Sequence, residues 1–155
     1  MDKQIETPLY RVYYKYHGVI KKIQVKDESK NISGSIKDRP ARMIIEDAYQ
    51  KRLINQDTTI CEVTSGNMGI ALATIAKDYG NKVIICMPKF MSQERKEILN
   101  HLGVKLILTK SFEEAFKIAD ELAIKHGVFL TKQFENPNNA KAYICLLYTS
   151  PSPRD

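Results

Sequence analysis

Between residues 59 and 130 the chain alternates short β-branched runs with longer helical ones, and this alternation limits the possible folds more than any other feature. Thr59-Ile60-Cys61-Glu62-Val63 predicts a strand, and residues 68–79, largely apolar, predict a buried helix. Residues 82–87 predict a second strand and 92–102 a second helix; Val104-Lys105-Leu106-Ile107-Leu108 predicts a third strand and 111–125 a third helix. Ser111 and Glu114 stand at capping-box spacing at the start of that helix. Val128-Phe129-Leu130 closes the series, and Gly80, Gly103 and Gly127 each fall just past a helix, where a left-handed residue is needed. Strands alternating with helices form βαβ units, so the expected fold class is α/β: a parallel twisted sheet with helices on both faces. Ligands in such sheets sit beyond the carboxyl ends of the strands. Two polar loops emerge there, Thr64-Ser65-Gly66-Asn67-Met68-Gly69 and Gln133-Phe134-Glu135-Asn136-Pro137.

Upstream, Thr7-Pro8-Leu9 precedes two β-type segments, 10–16 and 20–25, with His17-Gly18 as the turn between them. A polar stretch, 26–39, then leads into a helix whose apolar face is Ala41, Ile44, Ile45 and Ala48. Pro40 has no backbone donor and is tolerated only in a first turn, so this helix should begin near 37–39. Lys37 would then sit where free N–H groups and the macrodipole create positive potential. That potential disfavours the ammonium form, and a neutral lysine is a nucleophile able to form a Schiff base. A solvated lysine in the charged run Lys37-Asp38-Arg39 is the alternative. Likewise, the first N–H groups after the 64–69 turn could hold a carboxylate or phosphate, or the turn could be merely capped, with glycines for backbone reasons.

The totals narrow the function classes. A chain of 155 residues suits one domain with a sizeable core. The net charge of +6 is spread as Lys/Glu mixtures rather than gathered into a block, and there is no aromatic platform, so nucleic acid is not an expected partner. No apolar run is long enough to cross a bilayer, and residues 1–4 carry no apolar leader, so a cytoplasmic protein is expected. Cys61, Cys86 and Cys145 show no metal-ligand spacing; two lie in predicted strands and read as reduced, buried thiols, and no metal is expected.

The longer motifs carry a resemblance. In order they are Thr7-Pro8-Leu9, Ser33-Gly34-Ser35-Ile36-Lys37-Asp38-Arg39, Glu62-Val63-Thr64-Ser65-Gly66-Asn67-Met68-Gly69-Ile70-Ala71-Leu72-Ala73, Met87-Pro88 with Met91-Ser92-Gln93-Glu94-Arg95, and Gln133-Phe134-Glu135-Asn136-Pro137. Over about residues 5–143 the chain resembles the N-terminal part of the cysteine synthases, or O-acetylserine sulfhydrylases. These are pyridoxal 5'-phosphate (PLP) enzymes of fold type II, in the β-family that includes cystathionine β-synthase. The resemblance implies that Lys37 is the catalytic lysine that binds PLP covalently and takes the substrate's α-proton. It implies that Asn67 hydrogen-bonds the ring hydroxyl of the cofactor. Thr64, Ser65, Gly66, Met68 and Gln133 would grip the α-carboxylate of the amino-acid substrate. The implied reaction is a β-replacement making L-cysteine from O-acetylserine and sulfide, in an enzyme that is a homodimer at full length.

The chain departs from that family in three places. Met68 stands where threonine is usual, which removes a hydroxyl donor worth about 1 kcal/mol from the carboxylate loop. The approach Ser29-Lys30-Asn31-Ile32-Ser33 differs from the usual asparagine-proline-glycine. The glycine-rich phosphate cup and the residue facing the pyridine nitrogen belong to the family's second half, and the seven glycines here include no Gly-x-Gly-Gly run. Residues 145–155 leave the pattern and resemble a translated sequencing adapter more than a Ser/Pro-rich disordered end. The expected organisation is therefore 1–36 as strands that join a larger domain, 37–144 as a smaller α/β domain, and 145–155 as a non-native tail. The second domain would be largely missing and the chain inactive as it stands. Two alternatives remain: a related PLP lyase of the same fold (cystathionine β-synthase or serine/threonine dehydratase), or a non-enzymatic α/β binding module.

Overall fold

A computed structural model describes residues 6–144 and 146, so Cys145 and residues 147–155 of the expected tail lie outside the described residues. A hairpin comes first: β1 (Leu9–Tyr16) pairs antiparallel with β2 (Val19–Lys26). His17 and Gly18, both at positive φ (46° and 80°), make the tight turn, a geometry whose twist suits two-residue hairpins. A short 3-10 turn (Glu28–Lys30) and a polar loop lead to α1 (Asp38–Gln50). There follow β3 (Thr59–Val63), α2 (Asn67–Tyr79), β4 (Val83–Pro88), α3 (Gln93–His101), β5 (Lys105–Thr109), α4 (Phe112–Ala123), β6 (Val128–Leu130) and α5 (Pro137–Lys141).

The second sheet has the order β5-β4-β3-β6, with every pair parallel. The two-residue period of β3 and β4 sends side chains to opposite faces. Ile60, Val83, Ile85 and Met87 join α1, α2 and Leu99 of α3 in one core, while Cys61, Val63 and Cys86 pack with Ala115 and Ala119 of α4 in another. Helices thus cover both faces, as the alternation predicts, and element ends differ from the sequence reading by only a residue or two. Cys61 and Cys86 are buried free thiols in the core beneath α4. Gly69 sets how closely α2 approaches the sheet: a Cβ there would stand 2.9 Å from Thr64 Cγ2 and 3.2 Å from Ile85 Cδ1.

The hairpin is different. Its register places Tyr10, Val12, Tyr14, Tyr16, Val19, Ile23 and Val25 on one face, and these side chains are 39% to 59% exposed. A two-stranded ribbon with an apolar face this open has no core of its own.

Candidate active site

The turn before α1 is closed by Asp38. Its carboxylate accepts hydrogen bonds from the Ser33 N–H (2.9 Å) and the Ser33 hydroxyl, so the buried first residue of the helix pulls the loop back over itself. Gly34, at φ 80°, allows the bend. Lys37 is the N-cap of α1, and its N–H donates to Ser35 Oγ at 3.2 Å. Its Nζ donates to Tyr143 Oη at 2.9 Å and lies 5.5 Å from the centroid of that ring. The amine opens on a groove lined by Ile36, Ala140, Tyr143, Ile144 and Leu146.

A second buried network anchors the same turn. Arg39 donates from Nε and Nη2 to the two oxygens of Glu28 (2.7 and 2.8 Å), and from Nη2 to Thr7 Oγ1 at 3.3 Å. Burial pushes the Glu28 carboxyl upward, but hydrogen bonds from Arg39, Thr7 and Asn31 outweigh it and hold the group at about 2. Lys26 Nζ donates to the Thr7 carbonyl at 2.7 Å, tying the foot of the hairpin to this cluster.

The 64–69 turn emerges from β3. Thr64 Oγ1 accepts from the Gly66 N–H at 3.1 Å. Gly66 has φ 144°, which favours glycine, and a Cβ on it would stand 2.3 Å from Arg95 Cδ and oblige that side chain to move. Arg95 Nη1 also donates to the Ser65 carbonyl at 3.3 Å, so α3 clamps the turn from outside. Ser65 and Asn67 are exposed, whereas Thr64, Gly66 and Met68 are buried. The first N–H groups of α2 have no intrahelical partner and carry the positive end of its dipole. Met68 points into the core, 2% exposed, so what it can offer a ligand is its backbone N–H alone.

Gln133 is buried beside this turn. Its N–H donates to Glu62 Oε2 at 3.0 Å, its Nε2 donates to the Val63 carbonyl at 2.9 Å, and its carbonyl accepts from Asn139 Nδ2 at 2.8 Å. Glu62 also accepts from Thr131 Oγ1 and from the Val63 N–H at 2.7 Å. Burial raises the Glu62 carboxyl above its ordinary range, against the pull of those hydrogen bonds.

The structure therefore brings Thr64, Ser65, Gly66, Asn67, Met68 and Gln133 together at the carboxyl end of β3. Lys37 reaches Tyr143 rather than this turn. The link between the two halves is α5, which packs on α1 and follows the loop that holds Gln133. Sequence reasoning missed three residues of this arrangement: Glu62, Arg95 and Tyr143. A carboxylate in an otherwise apolar strand was the available signal for Glu62; Arg95 lay in a quoted motif without a role; Tyr143 carried no local signal. Among the described residues no cluster of His, Cys, Asp and Glu could hold a metal ion, and no helix is long and apolar enough to cross a membrane.

Residues 1–148 match the family described as pyridoxal-phosphate dependent enzyme. A cysteine synthase from Flavobacterium sp. is 44% identical over 126 residues, covering 79% of this chain and 41% of the relative. O-ureido-L-serine synthase from Streptomyces lavendulae is 42% identical over 120 residues, covering 76% of this chain and 37% of the relative. Among solved structures, a hydrogen sulfide-producing enzyme from Fusobacterium nucleatum superposes with a TM-score of 0.85 at 37% identity, covering 93% of this chain and 46% of that one. The chain thus spans about two fifths of the length of the curated relatives it matches.

Proposed function

The chain belongs to the pyridoxal-phosphate dependent enzymes, and from that membership we propose that it serves a PLP-dependent β-replacement in which sulfide displaces the acetate of O-acetylserine to give L-cysteine. The observation that carries this reading is the Lys37 amine, held at the N-cap of α1, hydrogen-bonded to a hydroxyl and paired with no carboxylate among the described residues. An aldehyde-bearing ring joined to this amine would lie against Ile36, Ala140 and Tyr143; Asn67, exposed on the separate 64–69 turn, is assigned to its ring hydroxyl by the family resemblance alone.

PLP bound there would supply the electron sink for the substrate's α-carbon. The chain supplies orientation and proton movement. Ser65 and the first N–H groups of α2 would hold the α-carboxylate, an anion at a helix N-terminus. Gln133 would brace the Val63 carbonyl and so fix the angle at which the 64–69 turn leaves the sheet. Lys37 Nζ, once released from the cofactor, would remove the α-proton as a general base. The same proposal has the open face of the hairpin covered by further residues of a full-length homodimer in the cytoplasm, with residues 37–144 as its smaller α/β domain.

At the length of the relatives, Lys37→Ala should abolish both the visible absorbance of lysine-bound PLP and cysteine formation from O-acetylserine and sulfide. Retention of either would refute the assignment. The nearly equal identity to O-ureido-L-serine synthase supports a second reading, a related PLP enzyme joining another nucleophile to the serine skeleton. Comparing sulfide with nitrogen and oxygen nucleophiles on one preparation separates the two.

A further inference from the structure

Lysine has four rotatable side-chain bonds, and an amine left to itself spreads over many positions. Lys37 is not left to itself. Its amine meets a hydroxyl brought from 106 residues away, at 2.9 Å, and lies near the ring that carries it. The position of that ring is built. Asn136 caps α5 by accepting from the Asn138 N–H at 3.0 Å, Asn139 ties α5 to the Gln133 carbonyl, and α5 packs along α1. Tyr143 follows directly. The neighbouring walls, Ile36, Ala140 and Ile144, offer no competing polar side chain, and apolar surroundings strengthen a hydrogen bond relative to water.

We propose that Tyr143 is a positioning residue for Lys37: its hydroxyl accepts a hydrogen bond from the free amine and keeps it aimed into the groove, ready to condense with an aldehyde. The proposal rests on Lys37 being the reacting lysine. With one N–H given to Tyr143 Oη, a neutral amine still has its lone pair for the carbonyl carbon. Because the loop that seats Tyr143 also seats Gln133, the aim of the amine is tied to the bracing of the carboxylate turn.

The test uses the 155-residue chain, PLP at millimolar concentration, borohydride reduction, and peptide mass spectrometry, with labelling of Lys37 expressed relative to the exposed lysines of the same sample. In the unsubstituted chain Lys37 should be trapped ahead of those lysines. Tyr143→Phe keeps the ring and removes the hydroxyl, and should lower the Lys37 ratio about fivefold, the factor for one hydrogen bond, with an unchanged circular dichroism spectrum. Lys37 trapped preferentially but equally in both chains would overturn the role of Tyr143 while leaving the lysine assignment standing. Lys37 trapped no better than surface lysines in the unsubstituted chain would overturn this inference, because the amine would then not be held ready, while the lysine assignment itself is decided by Lys37→Ala at the length of the relatives. Independently of any substitution, acylating Lys37 should move the Tyr143 ring-carbon resonance beside the hydroxyl; an unmoved signal would count against the contact.

Discussion

Removing the Glu28 carboxylate should cost this fold more than removing any exposed acid, and the cost should depend on pH in a defined direction. Glu28 is 14% exposed and Arg39 4% in their side chains, so solvent does little to screen the pair. The carboxyl is held at about 2 against an ordinary value of 4.5. At about 1.4 kcal/mol per unit, that difference corresponds to roughly 3 kcal/mol of stability at neutral pH, as an upper figure. A depressed folded value means that the contribution is complete above pH 4.5, declines below it, and is lost as pH falls through about 2. Glu28→Gln removes the charge while keeping the size, and takes away the carboxylate to which the buried Arg39 guanidinium donates from Nε and Nη2. Urea unfolding of both chains at pH 7, 4, 3 and 2 reads the gap between them. The gap should be widest at pH 7, shrink steadily below about pH 4.5, and close near pH 2. A gap of the same size at every pH would mean that the network acts through shape alone, and the electrostatic account of the Lys37 turn would fail.

Gly66→Ala should destabilise the fold by about 1–3 kcal/mol, because an L-residue is strained at φ 144° and its Cβ meets Arg95. Adding Arg95→Ala should recover only part of the loss in urea midpoint, since the backbone strain stays; full recovery would show that the clash was everything. Glu62 titrates in the opposite sense to Glu28. Its folded value is raised, so its contribution is complete below the ordinary glutamate range and is lost as pH rises through the raised value. Glu62→Gln should therefore gain on the unsubstituted chain as pH rises from about 4, and a stability difference that falls or stays level across that range would contradict the burial argument.

What could be read from the sequence follows from the range of the forces involved. The βαβ alternation is written in local periodicity, and the hairpin turn in a His17-Gly18 pair that tolerates positive φ; both are decided within a few residues. The Lys37 turn was legible for the same reason, since Pro40 and the apolar face of α1 fix where that helix starts. The partners of Lys37 and Gln133 were not, because Tyr143 and Glu62 stand 106 and 71 residues away respectively, and no spacing rule reaches that far.

Met68 marks the boundary between the two kinds of information. Its place in the motif put it among the carboxylate-binding residues, yet a side chain in the first turn of α2 is directed by the helix, and this one is directed into the core. On the proposed assignment, the missing hydroxyl at position 68 would leave no gap at the ligand, because the side chain at this position fills core space behind the turn. Discrimination among substrates would, on the same assignment, come from groups that remain exposed, Ser65 and Asn67 on the turn, and from how firmly Arg95 and Gln133 hold that turn against the sheet. The proposed site would separate the two tasks, with α1 and α5 aiming the amine and β3, α2 and α3 aiming the anion.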